Sequence, residues 1–81
     1  MNVKVKLFAR YRELAKVGEE SIVVTEGARV SDVVAAVLSK HPVLNRQSDE
    51  MLVSLNRKRS RGEERVKEGD EVALLPPATG G

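Results

Sequence analysis

The sequence predicts an α+β domain in which one mixed sheet packs against one main helix, with a short second helix alongside. Three observations predict it. Val3, Val5 and Leu7 alternate with Lys4 and Lys6, the period of a half-buried strand. Val30, Val33, Val34, Val37 and Leu38 recur at helical spacing and form one apolar face. Glu71 to Leu75 is a strand-like run that Pro76-Pro77 cuts off, because proline donates no backbone hydrogen bond to a sheet.

The elements follow in order. The first strand carries its lysines outward, where they also guard against edge pairing. Ala9 to Lys16 reads as a short helix with Leu14 and Ala15 turned inward and Gly18 as its stop. Ser21 to Thr25 is β-branched and reads as the second strand, closed by a Glu26-Gly27 turn. The main helix has Ser31 as expected N-cap, Asp32 where the helix dipole favours an anion, and Pro42 after its last turn. Its valines have poor intrinsic helix propensity, so it depends on packing against the sheet.

Residues 43–50 read as a polar loop, and Met51, Val53 and Leu55 as the inward positions of a third strand. Asn56 to Arg61 reads as a turn-rich basic segment, and Val66 as an isolated core plug. Lys67-Glu68-Gly69-Asp70 is a tight turn with glycine where positive φ is needed. The first two strands lie close enough to pair antiparallel. A right-handed crossover through the main helix brings a later strand beside the first, in parallel. That is the layout of a β-grasp domain, with a body over residues 1–75 and a flexible tail over 76–81.

Composition narrows the chemistry. An 81-residue chain makes one small domain with a single core and little room for an enclosed active site. Cysteine is absent, which removes thiol nucleophiles and disulfides and fits the cytoplasm. The first eight residues lack the apolar run of a signal peptide, and no stretch is long enough for a membrane span. Net charge is +2, and Arg57-Lys58-Arg59-Ser60-Arg61 is the one strongly basic run. Phe8 and Tyr11 are the only aromatics, which disfavours a nucleic-acid surface built on stacking. There is no phosphate-binding GxxxxGK[ST] loop. His41 has no partner at triad or metal-ligand spacing and is assigned a structural role. The adjacent pairs Asp49-Glu50 and Glu63-Glu64 point their side chains apart and make no shared acid-base site. No metal and no bound cofactor is expected, and no catalysis by the chain alone.

The tail is different. Pro76-Pro77 is a stiff extended start, and Ala78, Thr79, Gly80 and Gly81 are small. Six residues at about 3.3 Å each span about 20 Å, enough to reach into another protein. Glycine orders poorly, yet with no Cβ it leaves a terminal carboxyl unshielded in a narrow channel. The candidate reacting group is therefore the α-carboxylate of Gly81, with Pro76 to Gly80 as the inserting segment. Such a carboxylate must be activated by a partner, since this chain has no grip on ATP. A sulfur donor would then give a thiocarboxylate, and an amine an isopeptide bond.

The run Gly69-Asp70-Glu71-Val72-Ala73-Leu74-Leu75-Pro76-Pro77-Ala78-Thr79-Gly80-Gly81 resembles the C-terminus of the small, sulfur-carrier subunits of molybdopterin synthase, a MoaD/ThiS-type ubiquitin-like family. Val5-Lys6-Leu7-Phe8-Ala9-Arg10-Tyr11-Arg12-Glu13-Leu14 is similar to that family's first strand and helix, and Val53-Ser54-Leu55-Asn56 to its third strand. The chain departs from the family's pattern at Leu74-Leu75, where aromatics are frequent, and in the basic run. The resemblance implies a ubiquitin-like β-grasp carrier whose Gly81 is adenylated by a ubiquitin-activating-type adenylyltransferase using Mg-ATP, then thiocarboxylated. A cysteine desulfurase is the kind of sulfur donor implied. The tail would enter the large subunit of molybdopterin synthase, in a heterotetramer, and give its sulfur to cyclic pyranopterin monophosphate. Phe8 and Leu75 match positions on the family's partner-binding face. Three readings stand at this point: that carrier; a related carrier or modifier serving transfer-RNA thiolation, thiamine thiazole synthesis or protein conjugation; and a β-grasp interaction module without tail chemistry.

Overall fold

The computed structural model describes residues 1–77, apart from the side chains of residues 47–49. Among the described residues, β1 (Asn2–Leu7), β2 (Glu19–Val23), β3 (Leu52–Leu55), β4 (Lys58–Ser60) and β5 (Glu71–Leu75) form one mixed sheet in the order β2-β1-β5-β3-β4. Helix α1 (Ala9–Ala15) follows β1, and helix α2 (Val30–Lys40) crosses one face of the sheet. The expected β-grasp layout is therefore present. β1 pairs antiparallel with β2 and parallel with β5, with Leu7 opposite Leu74.

The core lies between the sheet and α2. Val3, Val5 and Leu7 of β1, Val72 and Leu74 of β5, and Val30, Val33 and Val37 of α2 are all buried. Each such valine or leucine contributes about 1.5–3 kcal/mol by leaving water. That burial holds a helix whose valines would not form one in isolation. Val66 also enters the core, as its isolation in a polar stretch implied. Gly69 has φ +83° in its tight turn, where the Asp70 N–H donates to the Lys67 carbonyl at 3.0 Å.

Several local expectations are corrected. β1 sits inside the sheet, so Lys4 and Lys6 do not guard an edge. β2 begins and ends two residues earlier than its β-branched run suggests, because its register follows β1. In α1 the buried residue is Tyr11, with Ala15 partly covered one turn later. Leu14 is exposed, and the helix stops at Lys16 in the left-handed conformation rather than at Gly18.

α2 starts at Val30 rather than after a Ser31 cap. The Asp32 carboxylate accepts the Arg29 N–H at 2.8 Å, and the carbonyls of Glu64 and Gly62 accept the N–H groups of Val30 and Ser31. The irregular segment after β4 thus satisfies donors that a capping side chain would otherwise meet.

The expected loop at 43–50 is instead a 3₁₀ helix over Pro42–Glu50 that buries Leu44. The basic segment contains a strand. Asn56 (φ +50°) and Arg57 (φ +71°) form a two-residue hairpin loop with positive φ at both positions, and β4 returns beside β3. No described helix is long and apolar enough to cross a membrane.

Leu44 and Val43 provide a matched test of that 3₁₀ helix. Leu44 is fully buried and Val43 is 49% exposed. Leu44→Ala should cost about 2–4 kcal/mol in urea unfolding, and Val43→Ala about 0.5 kcal/mol or less. Equal costs would contradict the packing described.

Candidate functional site

The sheet has two faces, and α2 covers one. Alternation along each strand places Lys4 and Lys6 of β1, Glu71, Ala73 and Leu75 of β5, Leu52 and Ser54 of β3, and Arg59 of β4 on the other, open face. Strand register aligns them into rows. Lys6 lies opposite Ala73, Ala73 opposite Ser54, and Ser54 opposite Arg59. The two small residues form a trough between two cations. In the next row Leu75 lies opposite Leu52.

Phe8 flanks that row. It is the residue after β1, in extended conformation, and its N–H donates to the Leu74 carbonyl at 3.2 Å. That bond carries the β1–β5 ladder one residue past the strand and holds Phe8 beside the end of β5. Phe8 is 42% exposed. Phe8, Leu52, Leu75 and Pro76 line one shallow groove together with the charged residues Lys6, Arg57, Arg59 and Glu71. Lys6 is paired with Glu71 at 3.4 Å. Asn56 fixes the Arg57 turn to β5. Its N–H donates to the Glu71 carbonyl at 2.8 Å, and its Oδ1 accepts the Glu71 N–H at 3.0 Å.

Of the residues singled out in the sequence, Phe8, Leu75 and Pro76 thus share one groove. Pro77 follows it, half-buried and beyond the ladder. Ala78, Thr79, Gly80 and Gly81 lie outside the described residues. Leu52, Arg57 and Arg59 were not singled out for the groove. The signal for Leu52 was an apolar residue on the outward phase of a strand whose inward phase, Met51, Val53 and Leu55, was already apolar.

The remaining candidates are structural in their surroundings. His41 Nε2 lies 2.6 Å from Glu20 Oε2, and Lys40 Nζ lies 2.6 Å from Glu20 Oε1. This cluster clamps the C-terminal end of α2 to β2. Burial pushes the Glu20 pKa up, but hydrogen bonds from Lys40 and His41 outweigh it and the net shift is downward. Glu64 accepts a hydrogen bond from Ser60 Oγ, which holds its carboxyl below the usual range, and Glu63 is exposed. Among the described residues no group of three or more His, Cys, Asp or Glu side chains could hold a metal.

This architecture, with the chain leaving β5 beside an exposed apolar groove, defines a ubiquitin-like β-grasp protein. Residues 5–81 match the ThiS family, and the chain belongs to that family. It is 37% identical over 83 residues to the molybdopterin synthase sulfur carrier subunit of Chlamydomonas reinhardtii, and the match covers all of both chains. Its structure is similar to that of SAMP1 from Haloferax volcanii, with TM-score 0.92, 30% identity and full coverage of both chains. It is also similar to a protein from Pyrococcus furiosus described as a putative molybdopterin converting factor, subunit 1. There the TM-score is 0.87 and the identity 34%, covering 96% of this chain and 99% of that one.

The Glu20 clamp sets a pH dependence. The folded-state pKa of Glu20 lies below its unfolded value. Its contribution to stability is therefore present above the unfolded pKa and is lost as pH falls through the folded one. Glu20→Gln should lower stability near neutral pH and flatten the acid limb of a stability–pH curve measured by urea unfolding. An unchanged acid limb would show that the clamp contributes nothing.

Proposed function

We propose that this chain is a sulfur carrier for molybdopterin synthesis, and that the carboxyl group of Gly81 is its reacting group. The observation that carries this reading is the position of Pro76. The chain leaves the central strand there at the rim of an exposed apolar groove, so a partner seated on the groove also meets the tail. Membership of the ThiS family across residues 5–81, and the role named for the relative from Chlamydomonas reinhardtii, support it.

The chemistry divides between this chain and its partners. An adenylyltransferase would bind Mg-ATP, and the Gly81 carboxylate would attack the α-phosphorus, releasing pyrophosphate. Sulfur at the sulfide level would then attack the acyl carbon and AMP would leave. The resulting thiocarboxylate is a better nucleophile than the carboxylate. This chain's residues do not assist those bond changes. Pro76 and Pro77 keep the exit extended, because each fixes its own φ and removes a backbone donor. Residues 78–80 offer no large side chain to obstruct a channel. Phe8 and Leu75 would seat the partner, and the large subunit of the synthase would receive the tail and bind the pterin substrate.

A second reading follows from the likeness to SAMP1, which in Haloferax volcanii is a small archaeal modifier protein. The same acyl-adenylate attacked by a lysine amine would give an isopeptide bond in place of a thiocarboxylate.

Intact-mass measurement tests and separates the two. The protein is incubated with the adenylyltransferase of its own genome, ATP and a sulfur donor. The carrier reading expects the mass to rise by the exchange of one oxygen for one sulfur, and a variant lacking Gly80 and Gly81 to stay unchanged. Conjugates without that exchange would favour the modifier reading. No change at all, with an enzyme that charges another carrier, would reject both.

A further inference from the structure

Arg57, Lys58 and Arg59 of the β3–β4 hairpin, with Arg61 and Arg65 just after it, form the densest run of cations in the sequence. Lys4, Lys6, Arg10 and Lys40 each have a carboxylate oxygen within 4.0 Å. Among the described residues, Arg57, Lys58, Arg59, Arg61 and Arg65 have no such partner, and all five are exposed. The chain as a whole carries only +2. Set against Glu63 and Glu64, these five cations leave residues 57–65 with a local charge of +3.

Protection of an edge strand accounts for part of this. β4 has three residues and two are cationic, which discourages pairing with a stray strand. It does not account for Arg57, which lies in the hairpin loop off the ladder. Nor does it account for Arg57 and Arg59 lining the same groove as Phe8, Leu52, Leu75 and Pro76. Lys6, which also lines it, is already neutralised by Glu71. The groove therefore combines apolar side chains with two uncompensated positive charges.

We propose that this groove selects an acidic protein partner, one that presents an apolar side chain flanked by Asp or Glu, with Arg57 and Arg59 as the selecting residues. The apolar side chains supply contact area that excludes water, as the centres of protein interfaces do. The arginines speed encounter with a negative surface and penalise a positive one. A single-stranded nucleic acid fits less well. It needs aromatic surfaces on which bases stack, and the groove offers Phe8 alone. The inference goes beyond the carrier reading and does not depend on tail chemistry.

The test is a titration of the isotope-labelled full chain followed by amide chemical shifts. One probe is a capped peptide with a Leu-Phe pair flanked on each side by two Glu. The second replaces those Glu with Gln, and the third is a single-stranded oligouridylate. Shifts for the acidic peptide should centre on Phe8, Leu52, Arg57, Arg59 and Leu75, and its affinity should fall as salt rises. The Gln peptide should bind at least about tenfold more weakly, and so should the acidic peptide to an Arg57→Glu/Arg59→Glu variant. Both arginines are exposed, and the variant's own spectrum reports its fold. Equal affinity for the two peptides, shifts centred elsewhere, no binding of the acidic peptide, or tighter binding of the oligouridylate would each overturn the proposal. Thiocarboxylation is scored by mass on the same preparation, so failure of the carrier reading is seen separately.

Discussion

The parallel pairing of β1 with β5 is the constraint on which the rest of the structure depends. It joins residues far apart in sequence, Lys4 with Glu71 through Leu7 with Leu74. On the inner face it sets Val5 beside Val72 and Leu7 beside Leu74, all buried under α2. On the outer face it sets Phe8 beside the end of β5, where Leu75 and Pro76 begin the exit. A slip of one residue would turn the valines and leucines outward and point the groove residues into the core. Core and groove are two faces of one register.

The ordering of that register comes from the core. Closing so long a crossover costs chain entropy, although that cost grows only slowly with loop length. Burial of the β1, β5 and α2 side chains offsets it. The main helix contributes little stability of its own, since valine loses rotamer freedom in a helix. It is held by the sheet on one side, by the segment after β4 at its N-terminus, and by Glu20 at its C-terminal end. The groove therefore rests on a braced sheet and needs no separate scaffold. Such rigidity would suit the carrier role proposed above, in which one surface meets successive partners.

The elements with a clear hydrophobic period were legible in the sequence. β1, α2 and β5 each read from alternation or helical spacing, and the parallel crossover followed from their order. Local chemistry was legible where one residue type dictates it, as at Gly69 with its positive φ. What failed were elements whose signal is tertiary. The hairpin loop at Asn56-Arg57 takes positive φ without glycine, so β4 was hidden in a charged run. Among the described side chains of residues 42–50, Leu44 alone is buried, in a segment otherwise polar enough to read as a loop. The start of α2 was misplaced because its donors are met by backbone carbonyls from residues 62 and 64 rather than by a side-chain cap. Two of the three groove residues expected, Phe8 and Leu75, rested on family resemblance, while Leu52, Arg57 and Arg59 needed the strand register to join them.

The central claim is that the carboxyl group of Gly81 must be free to react. It is tested most directly in a cell that lacks its own molybdopterin synthase small subunit but retains the other components. The chain is supplied there with and without one alanine appended after Gly81, and molybdoenzyme activity is measured. The account predicts restored activity with the native sequence and none with the extension. Full activity with the extension, with intact mass showing the alanine still attached, would contradict it.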